Sequence, residues 1–303
     1  MRIAILGSGG VGGYFGGRLA AAGSDVSFVA RGAHLDALRE RGLRILSAQG
    51  DIHLPTVRAT DDPTTIGPVD LVFFTVKQYD TETALQTLRP LVGPHTLVVP
   101  FQNGVDAVDT LVGAVGRDHV AGGTTYVSAV ISEPGTIRHT AMGRLAFGPL
   151  DGRRLFALET LRDACAHAGI EAILSDRIIV DIWAKFVRLT VLSGMTCIAR
   201  SPIGVVRNDP DLRAMTEAAT RESIAVARAK VIALPLTIYD DTLAGLWALP
   251  ERTKSSMLED LERGRRIELP WLSGALVRIG KDVGVDTPTH RLIVALLAPH
   301  VKN

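Results

Sequence analysis

The chain opens with Arg2–Leu6 (RIAIL) and runs at once into GSGGVGG. No other stretch narrows the fold as much. A five-residue apolar run stopped by glycine reads as a short buried strand, and the alanine-rich run to Ala22 reads as a helix. Between them, Gly7, Ser8, Gly9, Gly10, Val11 and Gly12 fit the spacing GxGxxG. In a strand–turn–helix setting each glycine of that spacing has a task. The first permits the tight turn, the second lets the backbone approach a pyrophosphate, and the third lets the helix pack close to the strand. Phosphates would then lie at the helix N-terminus, where free N–H groups and the helix dipole favour negative charge. A glycine-rich turn without a ligand can share the spacing, but the strand before it and the helix after it favour a dinucleotide site.

The following segments repeat the alternation. DVSFVAR reads as a second strand and AHLDALRERG as a charged amphipathic helix; LRIL, DLVFFTVK and TLVVPFQNG continue the series. Strands separated by helical segments imply βαβ units and a parallel sheet. After Val120 the pattern changes. VAGGTTYVSAVIS, GTIRHT and RLAFGPL, punctuated by Gly and Pro, predict antiparallel strands added to that sheet. From Leu155 onward nearly everything reads as helical, with breaks at Pro202, Pro210, Pro235, Pro250 and Pro288. The predicted fold class is α/β: a doubly wound domain over residues 1–174, then an all-helical domain over residues 175–303.

Composition excludes several kinds of partner. Lys and Arg number 33 against 32 Asp and Glu, a net charge of +1, so nothing draws the chain to nucleic acid or to an anionic membrane. No stretch approaches the apolar length of a membrane span, and no secretory signal is visible. Cys165 and Cys197 make neither a CxxC pair nor a disulfide framework, which suits a reducing cytoplasm. The 8 histidines show no ligand spacing, so no metal is expected.

Three polar residues stand where such a fold would place a ligand, and a fourth stands out by its surroundings. An NAD site usually ends its second strand with Asp or Glu, about 20 residues past the glycines. Here that place is FVARG, with Arg31 and no acid. A guanidinium can grip a 2′-phosphate that a carboxylate would repel, which favours NADP(H). Lys77, closing FFTVK, and Asn103, closing VVPFQN, fall at the carboxyl edge of the sheet, where open α/β folds bind ligands. Lys185 is a lone lysine in the otherwise apolar WAKFVRLTVLSG.

GSGGVGGYFGG, VARG, TVKQYDT, FQNGV, WAKF, RSPIG and SSMLEDLERGRRIEL occur in that order along the chain. Together they resemble the ketopantoate reductase (2-dehydropantoate 2-reductase) family across essentially its whole length. The resemblance implies a Rossmann-type domain joined to a helical domain, with NADPH and a 2-keto acid in the cleft between them. It implies an oxidoreductase that makes pantoate on the way to coenzyme A, in the cytoplasm, and a helical domain able to support a homodimer. Residue by residue, it assigns the pyrophosphate loop to Gly7–Gly12, the adenosine phosphate contact to Arg31, and a further cofactor contact to Lys77. Asn103 falls beside the nicotinamide, Lys185 and Glu268 in catalysis, and Ser256 and Glu268 on the substrate. Hydride delivered to C2 of a keto acid builds negative charge on the carbonyl oxygen, and a lysine ammonium can stabilise that charge and supply the proton.

Two points follow for the site. Twelve residues of straight helix between Ser256 and Glu268 would part them by about 18 Å, so the chain must turn back, and Gly264 is the residue that can end the helix. The resemblance also departs at Leu189 and Ser193, four and eight residues after Lys185, where the family usually carries asparagines. Ser193 keeps a hydroxyl for the substrate, while Leu189 makes the pocket more apolar. A reductase of a more apolar 2-keto acid is therefore the alternative within enzymes, and a non-catalytic NADP(H) sensor the alternative outside them.

Overall fold

The computed structural model describes residues 1–301. They form two units. Met1–Gln102 and Ala107–Ile178 make the first, and Asn103–Asp106 with the chain from Ile179 onward make the second.

The first unit carries ten strands: β1 (Arg2–Leu6), β2 (Asp25–Val29), β3 (Leu43–Ser47), β4 (Ile52–Leu54), β5 (Arg58–Thr60), β6 (Leu71–Phe74), β7 (Leu97–Pro100), β8 (Gly122–Glu133), β9 (Thr136–Gly148) and β10 (Glu171–Leu174). Its helices are α1 (Gly10–Ala21), α2 (Gly32–Arg41), α3 (Thr81–Leu88), α4 (Ala107–Val115) and α5 (Phe156–His167). A parallel sheet runs β5-β2-β1-β6-β7. The apolar runs of β6 and β7 are buried at every residue, as expected for strands covered on both faces. Ile3, Ile5, Phe28, Phe73 and Val99 form its core with Tyr14, Phe15 and Leu19 from α1.

A second sheet corrects the sequence reading. β8 and β9 pair as a long antiparallel hairpin, but they are not additions to the parallel sheet; they join β10, β3 and β4 in a separate one, ordered β10-β9-β3-β4 with β8 on β9. LRIL therefore leaves the alternating series. β5 (RAT), which follows β4 along the chain, takes the outer place beside β2, and three polar-flanked residues give no strand signal. The pattern of LRIL did hold a hint. Leu43 and Ile45 are buried while Arg44 is exposed, the signature of a strand covered on one face only. β10 likewise lies in the stretch after Leu155 that reads as nearly all helical.

The second unit is helical: α6 (Ile178–Ala199, its first residue in the first unit), α7 (Ile203–Asn208), α8 (Pro210–Ala229), α9 (Ile238–Trp247), α10 (Ser256–Glu262), α11 (Ser273–Asp282) and α12 (Pro288–Leu297). Pro210 and Pro288 open their helices at the first position, where a missing N–H costs nothing. The unit packs around α6, whose Trp183, Phe186, Val187, Val191 and Met195 are buried against Leu258, Leu269, Leu276 and Ile293 among others. α10 ends where its glycine predicts. Gly264 has φ +63°, its N–H donates to the Leu261 carbonyl, and the Arg265 N–H reaches back to Asp260. That pair of bonds is a Schellman motif, and the chain turns there. No helix among the described residues is long and apolar enough to cross a membrane.

Candidate active site

The glycine loop sits between the ends of β1 and β2. Gly7 has φ +103°, and a Cβ there would lie 2.6 Å from the Val76 nitrogen. At Gly12 a Cβ would lie 2.3 Å from the Gly7 carbonyl oxygen, so α1 can approach the loop only with glycine in that place. Beside Gly9, by contrast, there is open space. α1 starts at Gly10 with no side-chain cap and no acid in its first turn, leaving its N–H groups and positive dipole end to an anion. The loop thus fits a pyrophosphate on its own geometry.

Two residues brace it. The Ser8 hydroxyl is buried and donates to the Val29 carbonyl at 3.0 Å, so it ties the loop to β2. Thr75, which the sequence reading passed over, donates to the Gly7 carbonyl at 2.8 Å. Val11 and Gly10 lie in the first turn of α1, Val11 packed against the core of the unit.

Arg31 follows β2 as the N-cap residue of α2, with its side chain 75% exposed. Its Nη2 donates to Asp80 Oδ2 at 2.7 Å. β6 ends at Phe74, before Lys77, which is exposed and precedes a short 3-10 turn over Gln78–Asp80. Arg31, Lys77 and the glycine loop therefore all lie beyond the carboxyl ends of adjacent strands β2, β6 and β1.

The second unit holds a polar cluster in an apolar setting. Lys185 lies on α6, half-buried, and its Nζ donates to Asn103 Oδ1 at 3.1 Å. The Asn103 side-chain amide in turn donates to Glu268 Oε2 at 3.3 Å. Asn103 thus spans the lysine and a carboxylate that is only 7% exposed. The segment carrying Asn103 is held in the same unit: Val105 packs on the helical core, and Asp106 accepts from Arg278 Nη2 of α11 at 2.7 Å. Glu268 follows the Gly264 turn and precedes a 3-10 turn over Leu269–Trp271.

Burial governs the charge on Lys185. Loss of solvent is the largest influence and pulls its pKa down to about 8; Glu268 opposes this, and the Arg188 guanidinium adds to it. A lysine so placed exchanges its proton closer to neutral pH than an exposed one does.

The remaining candidates divide. Ser256 is the exposed first residue of α10, a hydroxyl open to a ligand, and forms no hydrogen bond with Lys185, Asn103 or Glu268. Its neighbour Ser255 is the capping residue, accepting from the Leu258 N–H and sharing a 2.8 Å hydrogen bond with Thr196. Leu189 is half-buried on α6. Ser193 is fully buried, and its hydroxyl has no hydrogen-bond partner among the described residues. No group of three or more potential metal ligands occurs among them either.

Comparison with known proteins bears on this arrangement. Residues 3–152 match the family model described as "Ketopantoate reductase PanE/ApbA", and residues 177–301 match that of its C-terminal part. A 2-dehydropantoate 2-reductase of Mesorhizobium japonicum is 32% identical, over 98% of this chain and 97% of its own length. The crystal structure of a PanE/ApbA family ketopantoate reductase from Ralstonia eutropha JMP134 superposes with a TM-score of 0.90 at 33% identity, covering 99% of this chain and 98% of that one. The corresponding figures for 2-dehydropantoate 2-reductase from Geobacter metallireducens are 0.92 and 29%, with 99% of each chain covered. A D-mandelate dehydrogenase solved with NADH and anilino(oxo)acetate shares the fold at 24% identity, with a TM-score of 0.90, covering 99% of this chain and 98% of that one.

Proposed function

The chain belongs to the ketopantoate reductase family, and on that premise we propose that it reduces 2-dehydropantoate to pantoate with NADPH, Lys185 supplying the proton. The observation that carries this reading is the Lys185–Asn103–Glu268 network, a lysine with a lowered pKa tied through an amide to a buried carboxylate. A nicotinamide held there would supply a hydride to C2 of the keto acid. Lys185 hydrogen-bonds the C2 carbonyl oxygen, stabilises the charge that gathers on it and delivers a proton to it, leaving a secondary alcohol. Asn103 holds the lysine amine in position. Glu268 favours the charged form of that amine against the cost of burial, and its own carboxylate accepts from a substrate hydroxyl.

For the cofactor, the glycine loop takes the pyrophosphate, and Arg31 with Lys77 the adenosine phosphate; Arg31 in place of a strand-end acid supports NADPH. The full-length match to relatives named as 2-dehydropantoate 2-reductases favours ketopantoate over a more apolar acid. Two buried free cysteines suit the cytoplasm as the setting.

The test is a panel of 2-keto acids followed by loss of reduced-nicotinamide absorbance, with NADPH and NADH in parallel. Lys185→Ala should keep its NADPH affinity and lose roughly a hundredfold or more in kcat/KM. Near-normal turnover in that variant would remove the lysine from the chemistry.

A further inference from the structure

Asp80 stands where neither the glycine motif nor the strand-end rule would look for a selectivity residue. β2 and β6 flank β1, so their ends lie roughly 10 Å apart at the usual strand spacing. Arg31 follows the one and Asp80 the other. Their 2.7 Å ion pair therefore spans the end of β1, the strand that feeds the glycine loop. Asp80 also occupies the N-cap position of α3, yet its carboxylate makes no capping bond there. It is also the last residue of the 3-10 turn that runs into α3, and its carboxylate is given to Arg31.

We propose that Asp80 sets the balance between the two nicotinamide dinucleotides, competing with a 2′-phosphate for Arg31 and offering a carboxylate to an unphosphorylated ribose. The inference rests on the cofactor reading above and deepens it: the site takes NADH as well as NADPH, and Asp80 is the residue that narrows the gap. In an NAD site the acid that accepts from the ribose hydroxyls comes from the end of the second strand. Here that end carries Arg31, and the acid reaches the same place from the β6 side. A 2′-phosphate gripping the guanidinium would share it with a second anion. That juxtaposition weakens the phosphate contact without abolishing it, because arginine has further N–H donors besides the one given to Asp80.

Asp80→Asn removes the charge and keeps the size; Asp80→Glu keeps the charge. Each variant and the wild type are titrated with NADPH and NADH by nicotinamide fluorescence, and with 2′,5′-ADP and 5′-AMP by calorimetry. In Asp80→Asn, NADPH and 2′,5′-ADP should bind tighter by about three- to tenfold, the scale of one exposed charge contact. NADH should bind about two- to fivefold weaker, from the loss of a charged acceptor. Asp80→Glu should stay near the wild-type ratio. The gain for NADPH should shrink as salt rises, since the competing charges are near solvent. If both dinucleotides weaken together in Asp80→Asn, Asp80 is only a structural support for the loop and the proposal falls. An unchanged ratio overturns it equally. A wild type that binds neither dinucleotide would instead overturn the cofactor reading, and this proposal with it.

Discussion

Replacing Glu268 by glutamine should move the pH profile of this enzyme in a direction fixed by the geometry around Lys185. The two hydrogen bonds through Asn103, 3.1 and 3.3 Å long, together with the width of an amide, place the charges no more than about 9 Å apart. At an effective dielectric of about 20, that separation corresponds to an attraction of at least about 1.8 kcal/mol. Solvent at the half-buried lysine reduces it, so the expected effect is about one pH unit. The sign follows from the charges. A neighbouring carboxylate favours the ammonium, so its removal lowers the lysine pKa. The proton-donating form is present below that pKa and lost as pH rises through it. In the wild type the alkaline limb of log kcat/KM should therefore fall near pH 8, the value to which burial brings Lys185. In Glu268→Gln it should fall about one unit lower. Initial rates of NADPH oxidation at subsaturating keto acid, taken across the neutral and alkaline range, give both limbs. A limb that stays in place, or moves to higher pH, would refute the idea that Glu268 holds the lysine charged.

Two further outcomes concern single residues. Ser193→Ala removes a buried hydroxyl that has no hydrogen-bond partner among the described residues, so stability should rise by about 1 kcal/mol with KM unchanged, read as a higher melting temperature; a several-fold rise in KM would show instead that the hydroxyl meets the substrate. Gly264→Ala puts a side chain at φ +63° and should cost about 1 kcal/mol, while Gly264→Asn should cost less, because asparagine tolerates that region. Equal melting temperatures for the two variants would mean that left-handed backbone is not what glycine contributes there.

The sequence carried the first domain's plan because its signals are local. A strand, a glycine turn and a helix follow within 20 residues, and GxGxxG needs no distant partner. Gly264 was legible for the same reason: a left-handed stop is a property of the residue. Pairing was not legible. LRIL announces a strand but not which sheet takes it, and RAT is too short to announce anything. The site divides along the same line. Lys185 stood out as a charge in an apolar helix, and Arg31 by the absence of an acid beside it. The roles of Asn103, Thr75 and Asp80 depend on partners 82, 68 and 49 residues away, and no local pattern encodes those. The strand-end rule points only to the end of β2, whereas Asp80 meets Arg31 from the other side of β1.

Asn103 has a consequence for the order in which the molecule can be completed. It follows β7 of the first unit along the chain yet belongs to the second, together with Lys185 and Glu268. Its bond to Glu268 closes a loop of 165 residues, so the cluster cannot exist on a nascent chain until nearly all of it has been made. A fragment beginning at Ile179 would contain the lysine and the carboxylate without the amide that joins them. Cutting the chain between its two units therefore yields no autonomous catalytic half, and a recombinant exchange of helical domains between relatives would have to carry Asn103–Asp106 along with it.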